Sequence, residues 1–333
     1  MPSPPDLPGW AELTAGLHVV RVPLTVPFRG VTEREAALLQ GPVGWGEFAP
    51  FVEYGDAESA RWLAAAVEAA WAGWPAPRRD AVPVNATVPA VPARSVPGVL
   101  ARFPGCTTAK VKVAQAGQGL ADDVARVAAV RDVLGPAGRI RIDANGGWTV
   151  PAAVDALAAL APYGLEYVEQ PCATLPELAA LRRQLAGAVP VAADESVRKA
   201  ADPERVALAG AADLVVLKVA PMGGVRPAVR AAAGCGLPVV VSSALDTSVG
   251  IAAGAALAAA LPDLPYACGL GTVGLMATDV TAAPLAPDAG RLQVRPVTPD
   301  PDLLTALAAP PDRWSWWEDR LRRCHAQLTG LVP

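Results

Sequence analysis

Arg139-Ile140-Arg141-Ile142-Asp143-Ala144-Asn145-Gly146-Gly147-Trp148 decides how this chain is read. A short apolar-alternating run ends in an acid, then an Asn, then two glycines, as when a buried strand hands a carboxylate and an amide to a loop at its C-terminal end. Working outward, the same grammar recurs in Tyr167-Val168-Glu169-Gln170-Pro171, in Val191-Ala192-Ala193-Asp194-Glu195-Ser196 and in Leu214-Val215-Val216-Leu217-Lys218, with Lys110-Val111-Lys112-Val113 upstream. The intervals are 26 residues from Asp143 to Glu169, 25 from Glu169 to Asp194 and 24 from Asp194 to Lys218. A (β/α)₈ barrel of ~250 residues spends roughly 30 on each strand–helix unit, fewer where loops are short. Polar residues at this period fall on successive strand ends, at one face of one barrel.

The rest of the chain fits around that barrel. Strands are predicted at 82–88, 108–113, 139–142, 166–168, 190–192, 213–217 and 238–241, alternating with helices at 95–103, 120–134, 150–161, 175–186, 203–209, 224–233 and 247–260. Such alternation argues for a closed parallel sheet. Before it, residues 16–48 read as antiparallel strands, and a helix opens at Asp56, its expected N-cap, and runs to about Gly73. After Pro284 a Pro-rich connection leads to an amphipathic helix at 312–328 whose Trp314, Trp316 and Trp317 are expected to pack on the N-terminal unit rather than bind a ligand. The fold class is therefore α/β: a modified TIM-type (β/α) barrel over 82–284, with an α+β capping domain built from 1–81 and completed by 285–333.

Composition excludes several classes. The 333 residues carry a net charge of −4 and a pI near 5.3, so neither nucleic acid nor an anionic membrane is expected as a partner. Cys106, Cys172, Cys235, Cys268 and Cys324 are scattered without a CxxC pair, which suits reduced thiols in the cytoplasm. No basic-then-apolar leader is visible at the N-terminus, and the Ala-rich stretch 251–261 is too short to span a bilayer. No coiled-coil seam announces an oligomer.

Asp143, Glu169 and Asp194 form an all-oxygen set, which favours Mg²⁺, with Mn²⁺ as a substitute, and leaves positions for a small-molecule carboxylate. The bland alternative is that each acid pairs with a nearby Lys or Arg. Lys110 and Lys112 are i and i+2 on one strand, so both point to one face. In a barrel interior, two ammonium groups beside a divalent cation should lower each other's pKa towards that of a working base; on a surface they would simply be solvated. Lys218, across the ring, could act on the opposite face of a substrate held between them. That arrangement suits proton abstraction α to a carboxylate. His18 and His325 lie at no barrel strand end, so lysine is expected to carry the acid–base work.

On Lys110-Val111-Lys112, Asp143-Ala144-Asn145, Glu169-Gln170-Pro171, Asp194-Glu195-Ser196 and Lys218, the chain resembles the enolase superfamily, in its muconate-lactonizing branch, over nearly its whole length. Gly44-Trp45-Gly46-Glu47-Phe48-Ala49-Pro50, Arg141 and the stretch Val241-Ser242-Ser243-Ala244-Leu245-Asp246-Thr247-Ser248-Val249-Gly250 make it most similar to the o-succinylbenzoate synthases of that branch. The resemblance implies a syn dehydration in menaquinone biosynthesis. Lys112 would take the α-proton and then protonate the leaving hydroxyl, Lys218 would stabilise the enediolate, and Lys110 would tune Lys112 and help hold the substrate carboxylate. Asn145, Glu195 and Arg141 would support the metal acids from behind. Ser242 and Ser243, with the start of the following helix, would meet the succinyl carboxylate; the alternative is a serine pair that merely caps that helix. Loop 28–32 with Arg29, and segment 48–54 with Phe48, would close as a lid, though Arg29 could also be merely solvated. The same site could serve an N-acylamino acid racemase or a dipeptide epimerase. However, racemases often carry a basic residue soon after the second lysine, and 219–224 has none. Muconate cycloisomerase and a non-catalytic metal-binding scaffold complete the alternatives.

Overall fold

The structure, a computed structural model, describes residues 7–28, 30–200, 207 and 209–330. Its centre is one parallel sheet of β5 (Ala86–Val88), β6 (Thr108–Lys112), β7 (Arg139–Asp143), β8 (Leu165–Glu169), β9 (Val191–Ala193), β10 (Leu214–Lys218) and β11 (Val239–Ser242), hydrogen-bonded in that sequence order. Residues 267–270 join its two edges. On one side the Gly269 amide donates to Val241 O (2.8 Å); on the other the Cys268 amide donates to Pro83 O (2.7 Å) and Asn85 N to Cys268 O (2.9 Å). The ring closes on a stave that is not itself a regular strand. This is the modified (β/α) barrel that the strand-end spacing predicts.

Period-2 alternation decides what each face of the sheet does. Ile140, Ile142, Val168, Val191, Ala193, Val215, Leu217, Val239 and Val241 join the large core under the outer helices. Their neighbours Tyr167, Ala192, Leu214, Val216 and Val240 form a small separate cluster inside the ring. Two residues beyond this inner layer, at the C-terminal ends, come Glu169, Asp194, Lys218 and Ser242. Each strand thus buries an apolar residue low in the barrel and delivers a polar one at its mouth.

The outer helices are α2 (Val96–Leu100), α3 (Leu120–Leu134), α4 (Val150–Leu160), α5 (Leu175–Leu185), α6 (Glu195–Ala200), α7 (Val225–Gly234) and α8 (Ser248–Ala260). Their starts are written locally. Thr174 and Glu177 cap α5 reciprocally, Thr174 N donating to Glu177 Oε2 (3.0 Å) and Glu177 N to Thr174 Oγ1 (3.4 Å). The helix expected over 203–209 lies outside the described residues except at 207 and 209; a helix already begins at Glu195, straight after β9.

The remaining elements form a cap. β1 (Leu17–Phe28), β2 (Val31–Gln40) and β3 (Trp45–Phe48) make an antiparallel sheet, against which α1 (Asp56–Val67) packs. The C-terminal helix α9 (Pro311–Thr329) lies on α1, burying Trp317, whose indole N–H donates to Glu35 (2.9 Å). Arg320, also buried, donates to the carbonyls of Pro50, Phe51 and Tyr54. The N-cap of α1 is Gly55, not Asp56; Asp56 sits in the first turn, where a carboxylate favours the helix dipole, and accepts from Arg323 (2.8 Å). At the junction, β4 (Ala81–Pro83) pairs with β12 (Arg291–Gln293).

Candidate active site

Strand register brings the charged residues together. Lys112 pairs with Asp143, and Asp143 with Glu169, as direct cross-strand neighbours; one row deeper lie Lys110, Arg141 and Tyr167. The Lys110 ammonium donates to both oxygens of Glu169 (2.9 and 3.0 Å) and lies 3.5 Å from Asp143. Lys112 donates to Asp143 and to Asn145 Oδ1 (2.8 Å). Lys218 donates to Asp194 (2.5 Å). Lys110, Lys112 and Lys218 line one small enclosed cavity with Asp143, Asn145, Phe28, Ser242, Ser243, Leu245 and Thr272. A cleft of about 460 Å³ between Phe28, Gly30, Glu53, Lys112 and Gln115 opens beside it.

The electrostatics of this cluster follow from burial and charge order. Burial and the neighbouring Asp143 carboxylate push Glu169 up to about 8, although Lys110 pulls the other way. Burial alone would raise Asp143 too, but the Lys112 and Lys110 ammonium groups outweigh it and hold the carboxyl below its ordinary value. Without a cation beside it, Lys110 answers to the acids. Burial works against its charge, yet Glu169 and Asp143 raise its pKa above the ordinary value. Acids surround it more closely than the second ammonium does.

The loops beyond the strands are held in costly conformations. Ala114 (φ 58°), Asn145 (φ 46°), Gln170 (φ 39°) and Leu245 (φ 64°) all turn through the left-handed region just past β6, β7, β8 and β11. Such residues cost about 1–3 kcal/mol each and persist where their surroundings over-determine them. Gln170 is so determined: its side chain accepts from the amides of Asp194 (3.0 Å) and Ser196 (3.2 Å) and donates to Ser196 Oγ (2.7 Å), fixing the turn that carries Asp194. Buried Arg126 of α3 donates to the carbonyls of Lys112 (2.8 Å) and Val91 (2.7 Å) and to Asp123 (2.8 Å), while Asp123 accepts from Ala114 N (2.9 Å). That buried pair ties down the strand end bearing Lys112.

Family models match both parts of the chain: "Enolase N-terminal domain-like" over residues 19–70 and "Enolase C-terminal domain-like" over 99–300. An o-succinylbenzoate synthase of Mycolicibacterium smegmatis is 59% identical over 323 residues, 97% of this chain and 99% of that protein. One of Mycobacterium leprae is 57% identical, over 97% of this chain and 95% of that protein. The chain belongs to the o-succinylbenzoate synthase family of the enolase superfamily. It is an enzyme, a carbon–oxygen lyase of the hydro-lyase class. Among solved structures, muconate lactonizing enzyme from Pseudomonas putida superposes with a TM-score of 0.74 at 19% identity, covering 88% of this chain and 98% of that one. N-succinyl Arg/Lys racemase from Bacillus cereus does so with 0.73 at 18%, over 88% and 97%. These two share the fold.

Enolase-superfamily members use a divalent metal, typically Mg²⁺. The donor set here fits a hard cation: carboxylates alone, with Glu169 raised first by burial and then by the negative charge of Asp143 and Asp194 around it. As the side chains stand, among the described residues no three of them form a ready metal cluster; each acid is turned to a lysine instead.

Several residues singled out in this o-succinylbenzoate synthase family member land elsewhere than expected. Asn145 does bridge the site, its amide N–H donating to Asp143 Oδ1 (3.0 Å) and its side chain to Glu195 Oε1 (3.0 Å). Arg141 reaches none of the three acids by a hydrogen bond. It is fully buried one row deeper, donating to Glu166, to Asn85 Oδ1 (3.2 Å) and to Ala267 O (2.6 Å), with its guanidinium 4.8 Å from the Tyr167 ring. Phe48 does not face substrate: it is buried in the cap core, edge-on to Trp317 at 5.8 Å. Phe28 is the aromatic at the site, with Lys112 Nζ 5.5 Å from its ring centre. Arg29 lies outside the described residues.

Ser242 and Ser243 line the cavity, and Ser243 Oγ bonds to Gly269 O (2.8 Å) and Thr272 Oγ1 (3.0 Å). Neither serine caps α8. That cap is Thr247, which accepts from Val249 N (3.2 Å). The start of α8 is not open to a substrate anion either. Glu47 takes the amides of Thr247 (3.1 Å) and Gly250 (3.0 Å), and Asp279 takes that of Ser248 (3.2 Å). Sequence reasoning missed Gln170, Thr272, Arg34 and the cap-to-barrel reach of Glu47. Only the Gly-Trp-Gly-Glu pattern signalled the last.

Proposed function

We propose that this protein dehydrates 2-succinyl-6-hydroxy-2,4-cyclohexadiene-1-carboxylate to 2-succinylbenzoate, a step of menaquinone biosynthesis. The observation that carries this reading is that Lys112 and Lys218, four strands apart, line one cavity on either side of three buried acids. Identity of 57–59% to o-succinylbenzoate synthases over 97% of the chain supports this substrate over the others such a site could serve.

Asp143, Glu169 and Asp194 would hold Mg²⁺, or Mn²⁺ in its place. When bound, the cation supplies Lewis-acid stabilisation of the carboxylate that takes on enediolate charge. Lys112 Nζ removes the α-proton, breaking the C–H bond. The resulting ammonium then protonates the hydroxyl on the same face, so that water leaves and the ring becomes aromatic. Lys218 donates to the enediolate from the opposite side. Lys110, pinned between Glu169 and Asp143, keeps the acids in place and faces the substrate carboxylate. Asn145 fixes Lys112 through its side-chain oxygen. Glu195 accepts from the Asn145 side chain, while Arg141 braces the barrel beneath the acids. Ser242 and Ser243 contribute hydroxyls to the wall facing the succinyl arm, and Phe28 stands at the mouth.

We take residues 82–284 as the catalytic unit and 1–81 with 285–333 as its cap; the separate core around Trp62, Trp317 and Leu321 supports that division. A cytoplasmic location suits five free cysteines, and among the described residues no helix is long and apolar enough to cross a membrane.

The test is spectrophotometric. Diene absorbance should vanish as the aromatic product forms, dependent on Mg²⁺ and lost in Lys112→Ala. A racemase or epimerase using the same lysines is the second reading. It would show instead as α-proton exchange into an N-acylamino acid or a dipeptide without dehydration.

A further inference from the structure

We propose that Glu47 and Arg34, both carried by the capping sheet, are positioning residues that hold the 242–247 wall of the active site in its binding shape. The proposal rests on the reaction above only in taking that wall to face substrate.

Glu47 ends its reach inside the barrel. From β3 its buried carboxylate accepts from the Thr247 amide (3.2 and 3.1 Å), the Thr247 hydroxyl (2.5 Å) and the Gly250 amide (3.0 Å). Those amides are first-turn groups that a 13-residue helix leaves open, and the carboxyl oxygens of Glu47 satisfy them. A side chain of the cap therefore occupies the place where a substrate carboxylate would otherwise be drawn.

Two glycines make the reach possible. A Cβ on Gly46 would stand 2.0 Å from Ala66 O, so only glycine lets β3 approach α1 this closely. A Cβ on Gly250 would lie 3.0 Å from Glu47 Oε2 and 2.7 Å from Asp246 Cβ.

Arg34 grips the other end of the wall. Its Nε donates to Leu245 O (3.1 Å), a second nitrogen reaches Ala49 O and Ala244 O (3.4 Å), and its guanidinium lies over the Phe51 ring at 4.4 Å. Leu245 is the residue at φ 64°, a conformation that needs outside support. The segment that lines the cavity with Lys110 and Lys112, residues 242–245, runs from Ser242, the register partner of Lys218, into the Arg34 grip, and the Glu47 grip follows directly at Thr247. Docking of the cap and shaping of this wall are one equilibrium, so loosening either grip should weaken substrate binding and spare the proton-transfer geometry of β6 and β7.

The experiment compares Glu47→Ala, Glu47→Gln, Arg34→Met and Arg34→Lys with the unsubstituted protein by steady-state kinetics and by amide hydrogen exchange. Glu47→Ala and Arg34→Met are expected to raise KM about tenfold or more, with kcat within about threefold. Glu47→Gln, which keeps an acceptor, should recover most of that loss. Exchange at Thr247 and Gly250 should quicken in Glu47→Ala while amides in 108–112 and 139–143 keep their protection. An unchanged KM, a fall in kcat at constant KM, or exchange that quickens equally throughout the barrel would overturn the proposal. Should Glu47→Ala not fold, Arg34→Lys, which keeps the charge but not the fork, is expected to raise KM about threefold or more, and an unchanged KM there counts against it. If the unsubstituted protein fails to dehydrate the cyclohexadiene, the reaction is wrong, and the exchange pattern alone decides the clamp.

Discussion

The two sides of the active-site mouth are built differently. From β6 to β10 the functional atoms come from the strand ends themselves: Lys110 and Lys112 share a face by the period of two, and Asp143, Glu169, Asp194 and Lys218 follow at successive intervals of 31, 26, 25 and 24 residues from Lys112. Their immediate braces, Arg126, Gln170 and Asn145, also belong to the barrel. At β11 the wall leaves the strand pattern, turns at Leu245, and is gripped by Glu47 and Arg34 from the cap, some 200 residues earlier in sequence. On the reading proposed above, the strand-built half supplies the proton-transfer groups and the half gripped by the cap shapes the substrate wall. The cap reaches both sides, but differently: it holds the 244–250 side by the hydrogen bonds of Arg34 and Glu47, whereas at β6 the Phe28 ring stands over Lys112 at 5.5 Å.

The sharpest way to break this contrast is to remove the base. Lys112→Ala should lower turnover by about 10²–10⁴-fold or more, whereas Ser243→Ala in the other wall should act mainly on KM and by only a few-fold. Equal kcat losses from both would erase the distinction. Chelation by EDTA should abolish turnover and added Mg²⁺ restore it. Asp194→Asn should raise the Mg²⁺ concentration needed by about 10–100-fold or more, followed by titration of activity.

Stability tests the braces. Arg126→Met leaves Asp123 buried without its partner and should cost about 3–5 kcal/mol in denaturant unfolding. Arg139→Ala removes the exposed partner of Glu166 and should cost about 1 kcal/mol or less.

The pH dependence separates the acids further. Glu169 is raised from 4.5 to about 8 in the metal-free protein, so the folded chain keeps a proton that the unfolded chain has released. Metal-free stability should therefore fall as pH rises from about 4.5 to about 8, read as a declining Tm, and Mg²⁺ should recover it most at the upper end. Glu47, raised to about 8 by burial and by Asp246, adds to the same decline and gains nothing from the metal. Glu169→Gln should flatten the metal-dependent part; a profile unchanged by that substitution would show that the decline comes from the cap side.

Legibility followed the same division. Asp143, Glu169, Asp194, Lys110, Lys112 and Lys218 could be read from the chain because side-chain direction in a strand is fixed by parity, and strand ends in a barrel converge. The direction of the Lys110 shift could not be read, since it depends on Glus and Asps from three strands. Arg141 came only from the resemblance, as a support of the metal acids; it bonds Glu166 and Asn85, one row below them. Phe48 and Ser242 also rest on the resemblance alone, and Ser242 does line the cavity. Phe48 then proved to point into the cap core against Trp317, because β3 packs on α1 and α9.

The sequence by itself determined the barrel, its period and the identity of the charged groups at its mouth, because these depend on local alternation and on chain length between strand ends. Only the tertiary structure decided that a cap carboxylate fills the start of α8, that Arg34 holds Leu245 in its left-handed turn, and that Phe28 rather than Phe48 faces Lys112. Each of those contacts joins residues remote in sequence through a docking angle. No local rule fixes that angle; close approaches of the two units fall at barrel glycines such as Gly224 and Gly250, where a Cβ would stand 2.4 Å from Glu68 Oε2 and 3.0 Å from Glu47 Oε2.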